Sequence, residues 1–208
     1  MNAMKTISIL HTIPQSLPPL QKAFDRFADA EIRHYVDPGI LKHVNADGSL
    51  DNETQRRFVR AALHAAEDAD VLVIACTLCC RYAELLESIL DIPVLEADIP
   101  MLQAAAQHFR KVGIVSTKET IAAQCHEKLT ARFGQSIETC VRIVPSATDQ
   151  AAIQIACKEL DQMQVEAVLM TQLSLGDTKE FLTDLRCPVY TAPGFLAAAA
   201  IQAVGAEI

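Results

Sequence analysis

The sequence predicts an α/β fold built as two similar lobes, each a four-stranded parallel sheet flanked by helices. Three observations carry this expectation. Short apolar runs alternate with stretches of helical periodicity along the whole chain, the βαβ signature of a parallel sheet covered on both faces. The order of runs in the first half returns in the second. Two of the buried-looking runs, ending in Cys76 and in Met170, are each followed by a short polar segment, Thr77 and Thr171-Gln172. Such strand ends are where α/β folds place their sites.

The elements follow in order. Strand Thr6–Leu10 leads into a helix in which Leu17, Leu20, Phe24 and Phe27 recur at helical spacing, with Ser16 as its expected cap and Pro18-Pro19 in its first turn. Strand Glu31–Val36, a long polar connection to about Gly48, and a helix over Asn52–Asp68 come next. Strand Val71–Ala75, a helix over Tyr82–Leu90 and the short strand Pro93–Leu95 complete the first half. In the second, strand Val112–Ser116 precedes a helix over Glu119–Phe133 that Gly134 stops. Strand Val141–Val144, a helix over Asp149–Met163, strand Ala167–Met170, a helix over Asp177–Leu185 and strand Pro188–Tyr190 follow, leaving an Ala-rich helix, Gly194–Val204. No linker is rich in Gly, Pro or Ser, so the halves are expected to share an interface.

Composition narrows the partners. Half of the 208 residues are hydrophobic, enough for a sizeable core. A net charge of −8 without a Lys/Arg-rich run argues against nucleic acid and against an anionic membrane surface. No stretch resembles a signal peptide or a transmembrane helix. Seven cysteines without framework spacing suggest reduced thiols in the cytoplasm. The sequence leaves room for a homo-oligomer.

Cys76 is the leading catalytic candidate, as general acid/base or nucleophile, because a thiol at a helix N-terminus should ionise below its usual range. Its alternative is an inert buried cysteine. Cys76-Thr-Leu-Cys79 is formally a C-x-x-C, which admits a redox role, whereas a closed zinc site lacks a second ligand cluster. Cys79 and Cys80 are expected to pack the first helical turn. Leu10-His11-Thr12 and Val115-Ser116-Thr117 end the first strand of each half, and Cys76-Thr77 and Met170-Thr171 are matched as ends of the third. Together they offer hydroxyls and free N–H groups as a cradle for a carboxylate. Thr12 suits that carboxylate and His11 a base-assisting role. Thr171, Gln172 and Ser174 supply donors opposite Cys76, and Asp98 reads as a helix cap.

Taken together, His11-Thr12, Val36-Asp37, Ala75-Cys76-Thr77, Pro93-Val-Leu95 with Asp98-Ile-Pro-Met101, Val115-Ser-Thr-Lys-Glu-Thr120 and Leu169-Met-Thr-Gln-Leu-Ser174 make the chain resemble the aspartate/glutamate racemase superfamily, with its hydantoin racemase, maleate isomerase and arylmalonate decarboxylase relatives. The resemblance implies two pseudo-symmetric Rossmann/flavodoxin-like lobes with a small carboxylate in the interlobe cleft. It further implies chemistry without cofactor or metal, in which a cysteine from each lobe serves as opposed acid and base beside a carboxylate. Cys76 matches the first-lobe cysteine; Met170-Thr171-Gln172 stands where the second lobe normally reads cysteine-threonine-histidine. Thr117 and Thr120 match the family's carboxylate-binding threonines, with N-capping as their alternative role. On this basis the first lobe spans residues 1–98 plus 192–208 and the second 99–191. The implied enzyme works through a carbanion, an enolate or a cysteine adduct, as an isomerase, racemase or decarboxylase. A non-catalytic carboxylate-binding protein is the rival reading, and a C-x-x-C redox protein a more distant one.

Overall fold

The computed structural model describes residues 4–27, 30–133 and 136–205. The chain divides into two compact units, Met1–Ala97 with Pro193–Ile208, and Asp98–Ala192. The first unit contains strands β1 (Lys5–His11), β2 (Ala30–Val36), β3 (Val71–Ala75) and β4 (Val94–Glu96) in the sheet order β2-β1-β3-β4, all parallel. Its helices are α1 (Leu17–Phe24), α2 (Asn52–Ala66) and α3 (Ala83–Glu87). The second unit begins with α4 (Ile99–His108), then β5 (Lys111–Ser116), α5 (Glu119–Glu127), β6 (Glu138–Ile143), α6 (Gln150–Gln162), β7 (Ala167–Met170) and β8 (Val189–Thr191). Its parallel sheet runs β6-β5-β7-β8. The last helix, α7 (Ala192–Ala203), follows β8.

The central strands are apolar because both their faces are covered. β3 and β7 are buried at every position, which is why they read as continuous hydrophobic runs without alternation. The two units repeat one backbone plan. Asp37 N–H donates to the His11 carbonyl at 2.9 Å, as Val144 N–H does to Ser116 at 2.9 Å. Leu72 N–H donates to Pro93 at 3.0 Å, as Val168 N–H does to Pro188 at 2.9 Å. An acid before each third strand anchors the start of the first: Asp70 accepts the Thr6 N–H at 2.8 Å and Glu166 the Lys111 N–H at 2.9 Å. Even the strained turns match, since Asp68 (φ 57°) and Gln164 (φ 58°) both take the left-handed conformation just ahead of those acids. Units are not copies in their packing: Gly113 lets α6 approach β5 so closely that a Cβ there would meet the Leu160 side chain at 2.8 Å.

Several expected elements differ. α3 starts only at Ala83, because the segment Thr77–Tyr82 forms a 3-10 helix, pulled tight where Cys79 and Cys80 N–H both donate to the Cys76 carbonyl. The helix expected over Asp177–Leu185 is instead a 3-10 run, Leu173–Phe181, held down by buried Leu173 and Leu175. α5 ends at Glu127 and continues as a π-helical stretch, Lys128–Arg132, where the Thr130 hydroxyl donates to the carbonyls of His126 (3.0 Å) and Glu127 (3.1 Å) and loosens the ladder. The proposed stop at Gly134 lies outside the described residues. β6 begins at Glu138, earlier than the apolar run suggested. Two capping expectations fail. Ser16 occupies the N-cap of α1 without a side-chain cap, its hydroxyl being used by Ile13 and His11. Asp98 precedes α4 but also does not cap it; its buried carboxylate receives Lys128 Nζ at 2.7 Å. Among the described residues no helix is long and apolar enough to cross a membrane.

Candidate active site

In the first unit, β1 and β3 pair so that His11 lies opposite Ala75, which brings Thr12 and Cys76 out side by side at the C-terminal edge. Cys76 is extended (φ −150°, ψ 112°) and caps the 3-10 helix that Thr77 begins. Its carbonyl gathers the Cys79 N–H (3.0 Å), the Cys80 N–H (3.1 Å) and the Cys80 thiol (3.3 Å), which fixes the turn and leaves the Cys76 sulfur facing its own donors. The Cys79 thiol donates to that sulfur and is the largest cause of a pKa brought down to about 7. Burial opposes this lowering, while the Thr12 hydroxyl and the Cys79 and Leu78 N–H groups reinforce it. Cys79 is driven well above the thiol range by the same contact, so the proton stays on Cys79 and the charge on Cys76. Cys76 and Thr77 are both buried.

His11 is turned elsewhere. The ring is fully buried, with Nδ1 2.7 Å from Ser16 Oγ and Nε2 2.8 Å from His34 Nδ1. His34 in turn meets Gln21 Oε1 at 2.8 Å through Nε2. One hydrogen shared between His11 and His34 joins the rings, and burial, aided by His34, pushes His11 down to about 4. A neutral imidazole engaged at both nitrogens braces β1 against α1; the base-assisting role read from the sequence has no ring nitrogen left to perform it.

The second unit corrects the expected match between Cys76 and Met170. Backbone bonds that pair Leu72 with Val168 place Met170 at the position of Ile74, and Met170 accordingly lies wholly within the core beside Val115, Leu175 and Val189. Gln172 is the residue that stands where Cys76 stands: each is the extended N-cap of the 3-10 helix after its third strand. The sequence held a signal for this, because Asp70 and Glu166 each precede their counterpart by six positions. Gln172 Oε1 accepts the Thr117 N–H at 2.8 Å and the Thr117 hydroxyl at 3.0 Å. Ser116 Oγ lies 3.3 Å from the same oxygen and also reaches the Lys118 carbonyl at 3.0 Å. Thr12 beside Cys76 and Thr117 beside Gln172 are thus the same contact made in two units.

Thr171 is buried, and its hydroxyl donates back to the Val115 carbonyl at 3.1 Å. Thr120 sits in the first turn of α5, half-buried; Lys118 is the N-cap of that helix and no side chain caps it, so neither Thr117 nor Thr120 serves as a cap. None of the candidate residues belongs to a group of histidine, cysteine or carboxylate ligands close enough to share an ion, among the described residues. An open hollow lined by Glu119, Ala122, His126, Thr139 and Val141 lies between α5 and β6 and shares no residue with either strand-end group.

The family model for Asp/Glu/Hydantoin racemase matches residues 6–175. No curated protein matches the chain by sequence. Solved structures with the same fold include an aspartate racemase from Picrophilus torridus, 16% identical over 98% of this chain and 96% of its own, with a TM-score of 0.72. An allantoin racemase from Klebsiella pneumoniae is 16% identical over 98% of this chain and 89% of its own, with a TM-score of 0.71. A glutamate racemase from Francisella tularensis, in complex with D-glutamate, is 13% identical over 96% of this chain and 80% of its own, with a TM-score of 0.69.

Proposed function

Because the chain belongs to the Asp/Glu/Hydantoin racemase family, we propose that it is a cofactor-independent enzyme of the racemase/isomerase type that moves a proton on a carbon next to a carboxylate. The observation that carries this reading is the Cys76 thiol, held near a pKa of 7 by the Cys79 thiol and the Thr12 hydroxyl. A general base works best when its pKa lies close to the working pH, so that it is ionised yet still holds a proton well once it has taken one. Thr77, which begins the 3-10 helix just after Cys76, suits the ligand carboxylate, whose oxygens gain charge as the carbanion or enolate forms, while the Thr12 hydroxyl is committed to the Cys76 sulfur. D-Glutamate in the Francisella relative makes a small amino-acid carboxylate the ligand class to try first.

Only the first unit carries a thiol at this position; the second carries a carboxamide, which neither gives nor takes a proton at neutral pH. Proton transfer is therefore one-sided. One-sided exchange suits an isomerisation or a stereospecific protonation, including one after decarboxylation, better than a fast two-thiol racemisation.

Incubating single enantiomers of aspartate and glutamate in deuterated water, with deuterium uptake and optical rotation followed together, tests this. Uptake with retained rotation, lost in Cys76→Ser, is expected for an accepted substrate. Rapid racemisation that Cys76→Ser abolishes would show a second base and overturn the one-sided mechanism.

A further inference from the structure

Gln172 is held in a way that an ordinary loop glutamine is not. A carboxamide has an acceptor end and a donor end, and which is which follows from its partners. Here the Thr117 N–H can only donate, so the atom it meets at 2.8 Å must be the oxygen. The Thr117 hydroxyl, at 3.0 Å, donates to the same oxygen, so one residue clamps Oε1 from main chain and side chain together. Trigonal geometry then sends the amide –NH2 away from Thr117. The two hydrogens of that group are the ones the clamp leaves over, on a residue that is partly exposed. This happens at the position that in the first unit carries the reactive sulfur.

We propose that Gln172 is a fixed, non-ionisable donor for a ligand oxyanion, a carboxylate or enolate oxygen, and that Thr117 is the residue that positions it. Thr117, matched in the sequence to a carboxylate-binding threonine, acts on the ligand through Gln172 and not directly. The advantage over a free glutamine is preorganisation: the amide is already turned, so no rotamer has to be frozen when the ligand arrives. The advantage over a thiol is that the group cannot surrender its proton, so charge on the ligand oxygen is stabilised without being quenched. This inference rests on the carboxylate-binding reading given above.

The test follows the side-chain amide of Gln172 by 15N-correlated NMR, assigned through its absence in Gln172→Ala, during titration with sodium malonate. Both amide protons should shift downfield saturably. Gln172→Ala should bind malonate about tenfold more weakly, the scale of losing a hydrogen bond to a charged group. Gln172→Glu, nearly the same shape with the donors removed and a negative charge added, should bind more weakly still. Thr117→Ser should keep the shift, and Thr117→Val should reduce its amplitude and the affinity. Tighter binding by Gln172→Ala would mean that the amide competes with the ligand for Thr117, and would overturn the inference. Unchanged affinity, or no amide shift in the parent protein, overturns it too. Either failure leaves the Cys76 reading to be judged on deuterium exchange alone; a Gln172→Ala protein that does not fold leaves the comparison of parent and Gln172→Glu to decide.

Discussion

The two units use one backbone plan to present different chemistry. In the first, a threonine hydroxyl and a neighbouring thiol converge on a sulfur and bring its pKa to about 7. In the second, the equivalent threonine converges on an amide oxygen that does not titrate. The hydrogen-bond donors are shared and the acceptor has changed, so the repeated feature is a donor cluster at the edge of a parallel sheet, not a pair of thiols. The buried cysteines of the second unit underline the contrast. Without a donor network at the sulfur, burial, aided by Cys187, pushes Cys157 up to about 12, and Cys125 also rises, chiefly by burial. Position at a strand end is what turns a buried cysteine into a candidate base.

The largest expected effect breaks the comparison on the first side. Cys76→Ser should lower α-hydrogen exchange of an accepted substrate by about a thousandfold, within the range for loss of a general base. The second test works on the other side. Gln172→Cys should introduce a thiol that iodoacetamide modifies, whereas Met170→Cys should introduce one as resistant as Cys157, because Met170 is fully buried in the core. Peptide mapping after limited labelling reads both. Equal labelling at the two positions would undo the alignment of Cys76 with Gln172.

That alignment also marks how far the sequence could be read. The βαβ order and the parallel sheets were legible, because strands buried on both faces must be apolar throughout, as Val71–Ala75 and Ala167–Met170 are. Cys76 was legible for the same reason, as the first polarisable group after such a run. Met170 was matched to it because the apolar run ends there, yet the ladder continues past β7: Thr171 N–H still donates to Val115, at 3.3 Å. Register is a property of cross-strand bonds, and a polar residue that stays on the ladder hides it. The cause of the Cys76 acidity was illegible as well. A helix terminus was expected to supply it, whereas the largest single contribution comes from the Cys79 thiol, placed by a 3-10 turn that no periodicity announces. His11 looked like a site residue because it sits beside Thr12; its partner His34 comes from the adjacent strand, and only the parallel register of β1 and β2 makes them neighbours.

The His11–His34 pair gives the first unit a pH dependence of its own. His11 titrates near 4 when folded and near 6.5 when unfolded, so between those values the unfolded chain binds more protons. Stability is therefore intact above pH 6.5 and is lost as pH falls from there toward 4. By pH 5 the loss should reach about 2 kcal/mol, since a proton bound only by the unfolded chain costs about 1.4 kcal/mol for every pH step of one through that window. Urea unfolding at pH 7 and pH 5 measures it, with His11→Asn as the comparison in which this part of the slope should disappear. The same slope in both proteins would assign the acid sensitivity to other groups.

The smallest effect bears on the cause of the thiol's acidity. Cys79→Ala removes the largest single contribution to the lowered pKa of Cys76 while leaving Thr12 and the Leu78 and residue-79 N–H groups in place. The midpoint of Cys76 alkylation against pH should therefore rise from about 7 toward the ordinary thiol range near 8.5. At pH 7 the thiolate fraction falls several-fold, but each remaining thiolate is more nucleophilic, so the rate at a single pH changes less than the midpoint does. Only the full profile separates the two. Thr12→Val should move the midpoint in the same direction by a smaller amount, as the lesser donor. Thr117→Val in the second unit should leave it where it is. A midpoint unmoved in Cys79→Ala would return the acidity of Cys76 to the Thr12 hydroxyl and the main-chain N–H groups of the turn, and the strand ends of the two units would then share one kind of donor set around different acceptor atoms.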